Sequence, residues 1–283
     1  MKLKDVAALL NSSGIDEPQK EAEALLSLLL KVDRTAIYLN DPYIADEVIL
    51  PLIRSRQRRQ PLAYIVGEVE FYGLRITVGT GVLIPRPETE LLVVEAIRAL
   101  SARPQPTLRV LDLCTGSGCI ALSIARAYPH SHVIAIDASE AALDYARVNS
   151  TINNIHNVEF LQGDLFAPIR DRLTVPLLTF TGGFSLIISN PPYIKSPDID
   201  GLQPEIRLYE PPEALDGGTD GLTFYRRILA AAGDYLSTDG LIMLEIGDDQ
   251  ATDITDIASA TNFKSVIIKK DYAQRERFAI IQR

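Results

Sequence analysis

The sequence predicts an α/β protein in which a small helical-bundle domain and a linking β-hairpin precede a larger domain built on a seven-stranded sheet. Three observations support this prediction. Apolar residues in positions 1–60 recur at the spacing of amphipathic helices. Positions 61–84 carry a β-type pattern with a turn at Gly73. In the remaining domain, 85–283, short apolar segments alternate with helix-length segments, which is typical of parallel strands joined by crossover helices.

Size, composition and charge narrow the classes of function. The 283 residues suffice for a full core, and 47% hydrophobic and 23% charged residues are ordinary for a globular protein. The net charge of -9 argues against broad electrostatic attraction to nucleic-acid phosphates. No stretch has the roughly eighteen uninterrupted apolar residues of a membrane span. We therefore expect a cytoplasmic protein that does not enter a membrane and does not take nucleic acid as its direct substrate.

Cysteine and histidine usage gives no sign of metal or nucleophilic chemistry. Cys114 and Cys119 lie five positions apart and share no metal-ligand spacing with His130, His132 or His156. Free cysteines are most often small buried residues in a reducing compartment, and we interpret both in that way. Zinc catalysis and nucleophilic catalysis are therefore not favoured.

Four helices are predicted in the first domain. We expect them at 3–10, from Pro18 onwards, at 33–39 and at 46–59. The fourth ends in an arginine cluster made of Arg54, Arg56, Arg58 and Arg59. We favour a solvated helix end whose cations face the negative end of the helix dipole. The alternative is a docking patch for an acidic partner, whose binding would weaken when these charges are reversed.

The hairpin and the strands follow in order. Apolar runs at 64–66 and 71–78 flank Gly67 and predict a β-hairpin that joins the two domains. Pro87 and the acidic residues around it predict the start of a helix that covers 91–100. Seven strands are then expected at 109–114, 132–137, 158–161, 185–189, 240–246, 264–270 and 278–282. The long connections predict parallel pairing of the first four, and the short polar connection predicts that the last two form an antiparallel pair at an edge.

A glycine-rich turn follows the first of these strands and leads into a predicted helix. The loop residues expected to contact a ligand are Cys114, Thr115, Gly116, Ser117 and Gly118. Glycines here allow a tight turn and let a ligand press against the backbone. Asp112, just before the loop, could bind backbone amides of the turn or, through water, the ammonium group of a ligand. Such a loop alone also suits dinucleotides or the simple packing of a helix on a sheet.

Two further strands place carboxylates at the same edge of the sheet. Asp137 ends the second strand about twenty residues past the glycines, where a carboxylate can accept both hydroxyls of a ribose. The alternative is a helix cap, a role that Ser139 could also fill. After the third strand, Asp164 could accept a hydrogen bond from an adenine amino group, while Leu165 and Phe166 contact the ring. An ordinary Asx turn is the alternative there.

Together these features predict a binding site for S-adenosylmethionine. Successive strands place a glycine loop, a ribose acceptor and an adenine acceptor along one edge, in the order of the groups of that cofactor. NAD matches less well, because the loop lacks the full Gly-x-Gly-x-x-Gly spacing and no basic residue for phosphate follows it.

The fourth strand is followed by Asn190, Pro191, Pro192 and Tyr193, hereafter the Asn-Pro-Pro-Tyr segment. Neither proline can donate to a sheet ladder, so the chain must leave the sheet here. The Asn190 side-chain oxygen and the Pro191 backbone oxygen could accept both N–H bonds of a planar amide or aromatic amine, on which Tyr193 could stack. Asn190 is also expected to contact the cofactor. The alternative is a plain turn. The irregular stretch 194–222 is interpreted as a lid that holds the substrate.

With these residues in view, the chain resembles the protein-(glutamine-N5) methyltransferases of the HemK or PrmC family, which modify peptide-chain release factors. The shared motifs extend over nearly all the chain and comprise Pro61 to Ile65 with Gly67 and Phe71, residues 83–90, the loop 112–118, the Asn-Pro-Pro-Tyr segment, Glu210 Pro211 with Ala214 Leu215, and Gly217 Gly218 with 220–222. The resemblance implies a Rossmann-like, S-adenosylmethionine-dependent methyltransferase domain behind a helical substrate-docking domain. It implies as substrate the glutamine of a Gly-Gly-Gln motif in class I peptide-chain release factors. Cys114 stands where the family loop usually has its first Gly, and Gln274 where many members have a Gly in the last turn.

Two other functions remain open at this point. An adenine-N6 methyltransferase could hold the exocyclic amine of a flipped base on the same acceptors. The acidic net charge and the lack of an evident DNA-reading domain count against it. A non-enzymatic module that only binds the cofactor is disfavoured because the acceptor residues are intact.

Overall fold

A helical bundle forms the start of the chain in the computed structural model, which describes residues 1–102, 108–173 and 183–283. Its members are α1 (Leu3–Asn11), α2 (Pro18–Leu30), α3 (Arg34–Asn40) and α4 (Asp46–Gln57). Pro18 lies in the first turn of α2, where its missing N–H costs no hydrogen bond. Asp33 caps α3 by accepting a hydrogen bond from the Ala36 amide at 2.8 Å. The apolar faces of the helices meet in one buried cluster. The four predicted helices are therefore confirmed.

A fifth short helix and a hairpin connect this bundle to the larger domain. Helix α5 (Leu62–Val66) follows Pro61 and ends at Gly67, which has a left-handed φ of 86°. The predicted β-type run at 64–66 is therefore wrong, because a proline start and a glycine stop five residues apart enclose a single helical turn. The hairpin is formed by β1 (Glu68–Phe71) and β2 (Leu74–Thr77), which pair antiparallel around Gly73 as predicted.

A seven-stranded sheet forms the centre of the larger domain. Its strands are β3 (Arg109–Leu113), β4 (His132–Asp137), β5 (Val158–Gln162), β6 (Phe184–Ser189), β7 (Leu236–Glu245), β8 (Ser265–Lys270) and β9 (Glu276–Gln282). Their order is β5-β4-β3-β6-β7-β9-β8, and β9 runs in the opposite direction to the other six strands of this sheet. The predicted strands, the parallel pairing of the first four and the antiparallel edge pair are confirmed. Because the chain order reverses between β3 and β6, a crevice opens at the carboxyl ends of these two strands.

Helices cover both faces of the sheet. They are α6 (Pro87–Ser101), α7 (Cys119–Ala127), α8 (Glu140–Ile152), α9 (Ala167–Leu173), α11 (Thr223–Tyr235) and α12 (Ala251–Ala260). A further helix, α10 (Pro204–Tyr209), has no buried residue. Alternation of side chains along the central strands separates two apolar layers. Val110 and Leu186 pack with the hairpin, α6 and α7, whereas Leu111 and Ile187 pack with α11 and α12. None of the helices in the described parts of the chain is long and apolar enough to span a membrane.

The predicted lid, 194–222, contains α10 and two 3-10 turns, Ser196–Gly201 and Pro212–Ala214. Its end folds back onto its beginning, since the Ile194 amide donates to the Leu215 carbonyl at 2.9 Å and the Gly217 amide donates to the Ile194 carbonyl at 2.8 Å. These bonds hold the end of the lid against the chain that leaves the Asn-Pro-Pro-Tyr segment.

Candidate active site

The loop between β3 and α7 contains three residues in the left-handed region of backbone conformation. Cys114, Gly116 and Gly118 have φ angles of 57°, 57° and 80°. Glycine adopts this region freely, whereas a residue with a Cβ is strained there by about 1–2 kcal/mol. Cys114 therefore keeps the backbone conformation that the glycine of the family motif would favour. The Gly118 amide donates to the Thr115 carbonyl at 2.9 Å, which closes the turn just before α7 begins.

Asp112, near the end of β3, stabilises this loop through hydrogen bonds. The residue is fully buried, and its Oδ2 accepts hydrogen bonds from the Thr115 hydroxyl at 2.5 Å and from the Ala121 amide at 3.2 Å. Its Oδ1 has no hydrogen-bond partner among the described residues. Burial raises the pKa of this carboxyl to about 7, although both hydrogen bonds favour the charged form. Asp112 thus fixes the loop to the first turn of α7.

Asp137, at the end of β4, connects the glycine loop to the next strand. Its Oδ2 accepts from the Gly116 amide at 2.8 Å, and its Oδ1 accepts from the Ser139 amide at 2.9 Å. Burial raises the pKa of this carboxyl, and the backbone donors oppose that shift. The cap of α8 is instead Ser139, whose hydroxyl oxygen accepts from the Ala142 amide at 3.2 Å. The carboxylate therefore remains available at the sheet edge.

A cleft opens at the carboxyl ends of β3, β4 and β6. Residues predicted from the sequence contribute much of its lining, namely Cys114, Thr115, Gly116, Ser117, Asp137, Asn190 and Pro192. Beside Gly116 the space is open, since a Cβ added there would meet no atom within 4 Å. Ile120 and Ala142 add apolar surface close to these polar groups. A loop with accessible backbone, a carboxylate and apolar walls together fit S-adenosylmethionine.

The other predicted contacts lie outside this lining; they are Gly118, Asp164, Leu165, Pro191 and Tyr193. A Cβ at Gly118 would lie 3.0 Å from the Cβ of Ala146, so this glycine lets α7 and α8 approach. The Asp164 side chain is exposed and accepts a hydrogen bond from Arg227 Nη2 at 2.5 Å. Leu165 is buried in the apolar layer beside α11. The adenine contacts of these last two residues stay predictions.

Asn190 is connected to two buried residues that the sequence did not single out as part of the site. Its Nδ2 donates to the Thr89 hydroxyl oxygen at 3.4 Å, and the Thr89 hydroxyl donates to Glu245 Oε2 at 2.6 Å. Thr89 lies in the first turn of α6, and Glu245 ends β7. The signal that could have identified Glu245 is an acidic residue at the carboxyl end of the strand next to β6. Burial raises the pKa of this carboxyl to about 7.

Tyr193 faces the interior of the domain and not the cleft. Burial raises the pKa of its phenol to about 12, with the nearby carboxylate of Glu245 as the second cause. Its backbone carbonyl accepts a hydrogen bond from Gln250 Nε2 at 3.0 Å. The end of the Asn-Pro-Pro-Tyr segment is therefore anchored to the start of α12. Stacking of the Tyr193 ring on a substrate stays a prediction.

The lid contributes part of the cleft wall through Pro211, Glu213 and Ala214. Beside them, Glu210 is buried and accepts a hydrogen bond from Arg86 Nη2 at 2.6 Å. Arg86 immediately precedes α6, so this ion pair joins the lid to the chain segment that carries Thr89.

A second connection joins the lid to the helical bundle. Arg56 Nε donates to Glu21 Oε2 at 2.6 Å, and its Nη1 donates to Glu205 Oε1 at 2.9 Å. The Tyr209 hydroxyl donates to the Arg58 carbonyl at 2.7 Å. The prediction of a solvated helix end is wrong for Arg56, whose side chain is only 7% exposed because it lies between two carboxylates. The docking patch stays a prediction.

Comparisons with solved structures and family models agree on the class of protein. The N-terminal domain of human METTL16 matches with a TM-score of 0.55 and 17% identity, over 75% of this chain and 75% of that one. The ribosomal protein L11 methylase from Lactobacillus delbrueckii subsp. bulgaricus matches with a TM-score of 0.51 and 19% identity, over 74% and 84%. Residues 104–215 match a family model described as a methyltransferase domain. The fold and the cleft define an S-adenosylmethionine-dependent methyltransferase.

Sequence relatives identify the family within that class. Residues 2–67 match the PrmC N-terminal domain. The release factor glutamine methyltransferase of Thermodesulfovibrio yellowstonii is 45% identical over 267 residues, which cover 93% of this chain and 92% of that protein. The enzymes of the same name from Geobacter sulfurreducens and Mycobacterium tuberculosis are 40% and 37% identical, over 93% and 98% of this chain and 88% and 89% of theirs. The chain belongs to the release factor glutamine methyltransferase family, as the motif resemblance predicted.

Proposed function

We propose that this protein transfers a methyl group from S-adenosylmethionine to the side-chain amide nitrogen (N5) of the glutamine in the Gly-Gly-Gln motif of class I peptide-chain release factors. The observation that carries the proposal is a shared cleft: Asn190 and Pro192 line the same opening as the glycine loop and Asp137. An amide held at Asn190 would therefore meet a methyl donor bound on the loop. The names of the relatives supply the substrate class.

The cofactor is assigned to the residues predicted from the sequence, which are Cys114, Thr115, Gly116, Ser117, Gly118, Asp137, Asp164, Leu165 and Asn190. The cleft lining supports all of them except Gly118, Asp164 and Leu165. Each carboxylate oxygen of Asp137 already accepts one backbone amide, yet keeps a second lone pair for a ribose hydroxyl. An adenine contact by Asp164 would require its carboxylate to leave Arg227.

The substrate amide is assigned to the Asn-Pro-Pro-Tyr segment. An amide nitrogen is a poor nucleophile because its lone pair is delocalised into the carbonyl group. Asn190 Oδ1 and the Pro191 carbonyl would accept its two N–H bonds, which fixes the nitrogen and lessens that delocalisation during attack. S-adenosylmethionine supplies an electrophilic methyl group on its sulfonium. Correct orientation alone can lower such a barrier by about 7–11 kcal/mol, so no strong general base is required.

The domain roles belong to the same proposal. Residues 1–60 would dock the body of the release factor, 61–84 would link the domains, and 85–283 would carry the chemistry. The contact of Arg56 with Glu205 supports cooperation between the bundle and the lid, because it connects them directly. Since release factors act on ribosomes, we also assign the enzyme to the cytoplasm.

One labelling experiment tests the function. The protein is incubated with methyl-labelled S-adenosylmethionine and either a release factor, its Gly-Gly-Gln peptide, or adenine-containing DNA and RNA. Label on the glutamine is expected. Label on adenine would favour the adenine-N6 alternative, and label on neither substrate would favour a binding module.

The role of Asn190 is tested in the same assay with Asn190→Ala. We expect cofactor affinity to stay close to that of the wild type while turnover falls by about 10²-fold or more, since orientation of the amide is lost. Calorimetric titration with the cofactor and single-turnover labelling separate the two quantities. An equal loss of cofactor affinity and turnover would mean that Asn190 serves mainly the cofactor or the fold.

A further inference from the structure

A hydrogen-bonded chain leads from the interior of the domain to the cleft, whose lining includes two of its members, Thr89 and Asn190. It consists of Glu245, Thr89 and Asn190, joined by contacts of 2.6 Å and 3.4 Å. Glu245 and Thr89 are 1% and 2% exposed, so bulk water does not compete for their polar atoms. Asn190 is partly exposed, lines the cleft and provides one of the two acceptors proposed for the substrate amide.

The chemistry of the three groups gives this chain a direction. An ionised carboxylate only accepts hydrogen bonds, so the single hydroxyl hydrogen of Thr89 must point to Glu245. The 2.6 Å separation is typical of a charge-assisted O–H···O⁻ bond. The Thr89 oxygen then offers only lone pairs to Asn190, which must present its NH₂ group. The other amide atom of Asn190, Oδ1, is left for the cleft.

We propose that Glu245 and Thr89 are positioning residues that fix which atom of the Asn190 amide faces the substrate. This inference rests on the proposed function, because it explains how Asn190 is held as an acceptor for the N–H group of a glutamine. If the Asn190 amide were reversed, its NH₂ group would meet the N–H of the substrate, and two donors would face each other. Thr89 and Glu245 exclude that arrangement by holding Asn190 Nδ2, and neither belongs to the acceptors proposed for the substrate amide.

The surroundings of Glu245 favour this role. The Tyr225 hydroxyl donates to the Glu245 backbone carbonyl at 2.9 Å and so fixes the end of β7. Burial raises the pKa of the carboxyl to about 7, while the Thr89 hydrogen bond, Arg277 and Tyr193 favour its ionised form and Glu88 opposes it. At a pH well above 7 the carboxylate is therefore ionised and acts as the acceptor at the end of the chain.

The test compares Thr89→Val with Thr89→Ser in steady-state methylation of a Gly-Gly-Gln peptide, at a pH well above 7. Valine keeps the size of the side chain but removes the hydroxyl, whereas serine keeps the hydroxyl. For Thr89→Val we expect kcat to fall by about 10–100-fold with the KM for S-adenosylmethionine unchanged, since only the orientation of the Asn190 amide is released. Thr89→Ser should retain most of the turnover.

A double-mutant cycle separates positioning from a general structural role. Once Asn190 is replaced by alanine, no amide remains to be oriented, so adding Thr89→Val should cause no further loss of kcat. The same fold-loss in the wild-type and Asn190→Ala backgrounds would overturn the inference. So would wild-type turnover in Thr89→Val, or loss of turnover in Thr89→Ser.

Glu245→Gln provides a second variant in case Thr89→Val does not fold. The neutral amide can donate as well as accept, so the Thr89 hydroxyl can turn toward Asn190. We expect a lower kcat with unchanged cofactor affinity, and again no additional effect in the Asn190→Ala background; additive losses would refute the role. A wild-type protein that does not methylate the peptide would refute the proposed function itself, whereas an active wild type with unaffected variants refutes only the positioning.

Discussion

Gly217, near the end of the lid, provides the sharpest test of how closely the lid is packed on the Asn-Pro-Pro-Tyr segment. A Cβ added to this residue would lie 2.8 Å from Tyr193 Cα, 2.9 Å from the Pro192 carbonyl oxygen and 2.8 Å from the Gly221 carbonyl oxygen. All three are backbone atoms, which cannot rotate away as a side chain can. The φ of Gly217 lies outside the left-handed region, so the predicted cost of Gly217→Ala is steric and not conformational.

The size of the effect follows from these distances. Carbon contacts are relaxed at about 3.5–4.0 Å, so the lid and the segment must separate by several tenths of an ångström up to about 1 Å. Overpacking of this kind costs about 1–3 kcal/mol of stability. A displacement approaching 1 Å at a reacting centre can lower turnover by about 10²-fold. We therefore expect Gly217→Ala to remain folded while kcat falls by about 10–100-fold.

Methylation kinetics with a Gly-Gly-Gln peptide measure this effect, and thermal unfolding measures the stability. Gly201→Ala is the matched control, because Gly201 lies in the same lid and a Cβ there would meet no atom within 4 Å. The control should keep both wild-type kcat and wild-type stability. If Gly217→Ala had the kcat of Gly201→Ala, the lid would not be packed on the segment as described.

Three further predictions concern stability. Replacing Cys114 by Gly should change the unfolding free energy by no more than about 1 kcal/mol. The strain of a left-handed φ of 57° is relieved, and this gain offsets the greater conformational entropy of glycine in the unfolded chain. A loss above about 2 kcal/mol in denaturant titration would contradict this balance. Arg56→Met should destabilise the protein by about 3–5 kcal/mol, since the buried arginine is lost from between two carboxylates, leaving Glu21 without this partner and Glu205 with Arg59. Unchanged thermal unfolding would refute this prediction. The pKa of the Glu245 carboxyl rises on folding from 4.5 to about 7, so ionisation is less favourable in the folded than in the unfolded protein. The resulting contribution to the unfolding free energy, about 3 kcal/mol, is fully present below pH 4.5 and is lost as the pH rises to 7. Glu245→Gln should flatten the dependence of the unfolding free energy on pH in this window, and an unaltered slope would contradict the assignment.

The sheet and the edge that bears the cleft could be predicted because their signals are local. A parallel strand such as β4 contains an apolar run, and its carboxyl end is marked by the polar residue that follows this run, Asp137. The glycine loop is likewise encoded by the few residues that adopt left-handed φ. Even Cys114, which departs from the motif, follows the backbone path that its neighbours dictate. The short helix α5 was missed because a single turn is too short to establish a 3.6-residue period.

The buried polar contacts could not be predicted in the same way. Thr89 and Glu245 lie 156 positions apart, and no periodicity indicates that two side chains so distant share a hydrogen bond. The burial of Arg56 depends on Glu205, 149 positions away, whereas its own neighbours in sequence indicate only a charged helix end. For Asp164 the local signal and the structure differ in the other direction. Its position after a strand indicates a ligand contact, but its carboxylate pairs with Arg227.

The two acceptors proposed in the Asn-Pro-Pro-Tyr segment have different determinants, one local and one distant. Proline fixes its own φ, and Pro192 restricts the ψ of the residue before it, so the direction of the Pro191 carbonyl follows largely from the segment itself and from the strand before it. The Asn190 side chain has no such constraint, since its amide can turn about a broad terminal torsion. Its orientation must come from groups outside the segment, and Thr89 is the one observed hydrogen-bond partner of its Nδ2 among the described residues. Transferring the four residues to another sheet edge would therefore reproduce the carbonyl acceptor but not the orientation of the amide, unless a hydroxyl held by a buried carboxylate were transferred with them.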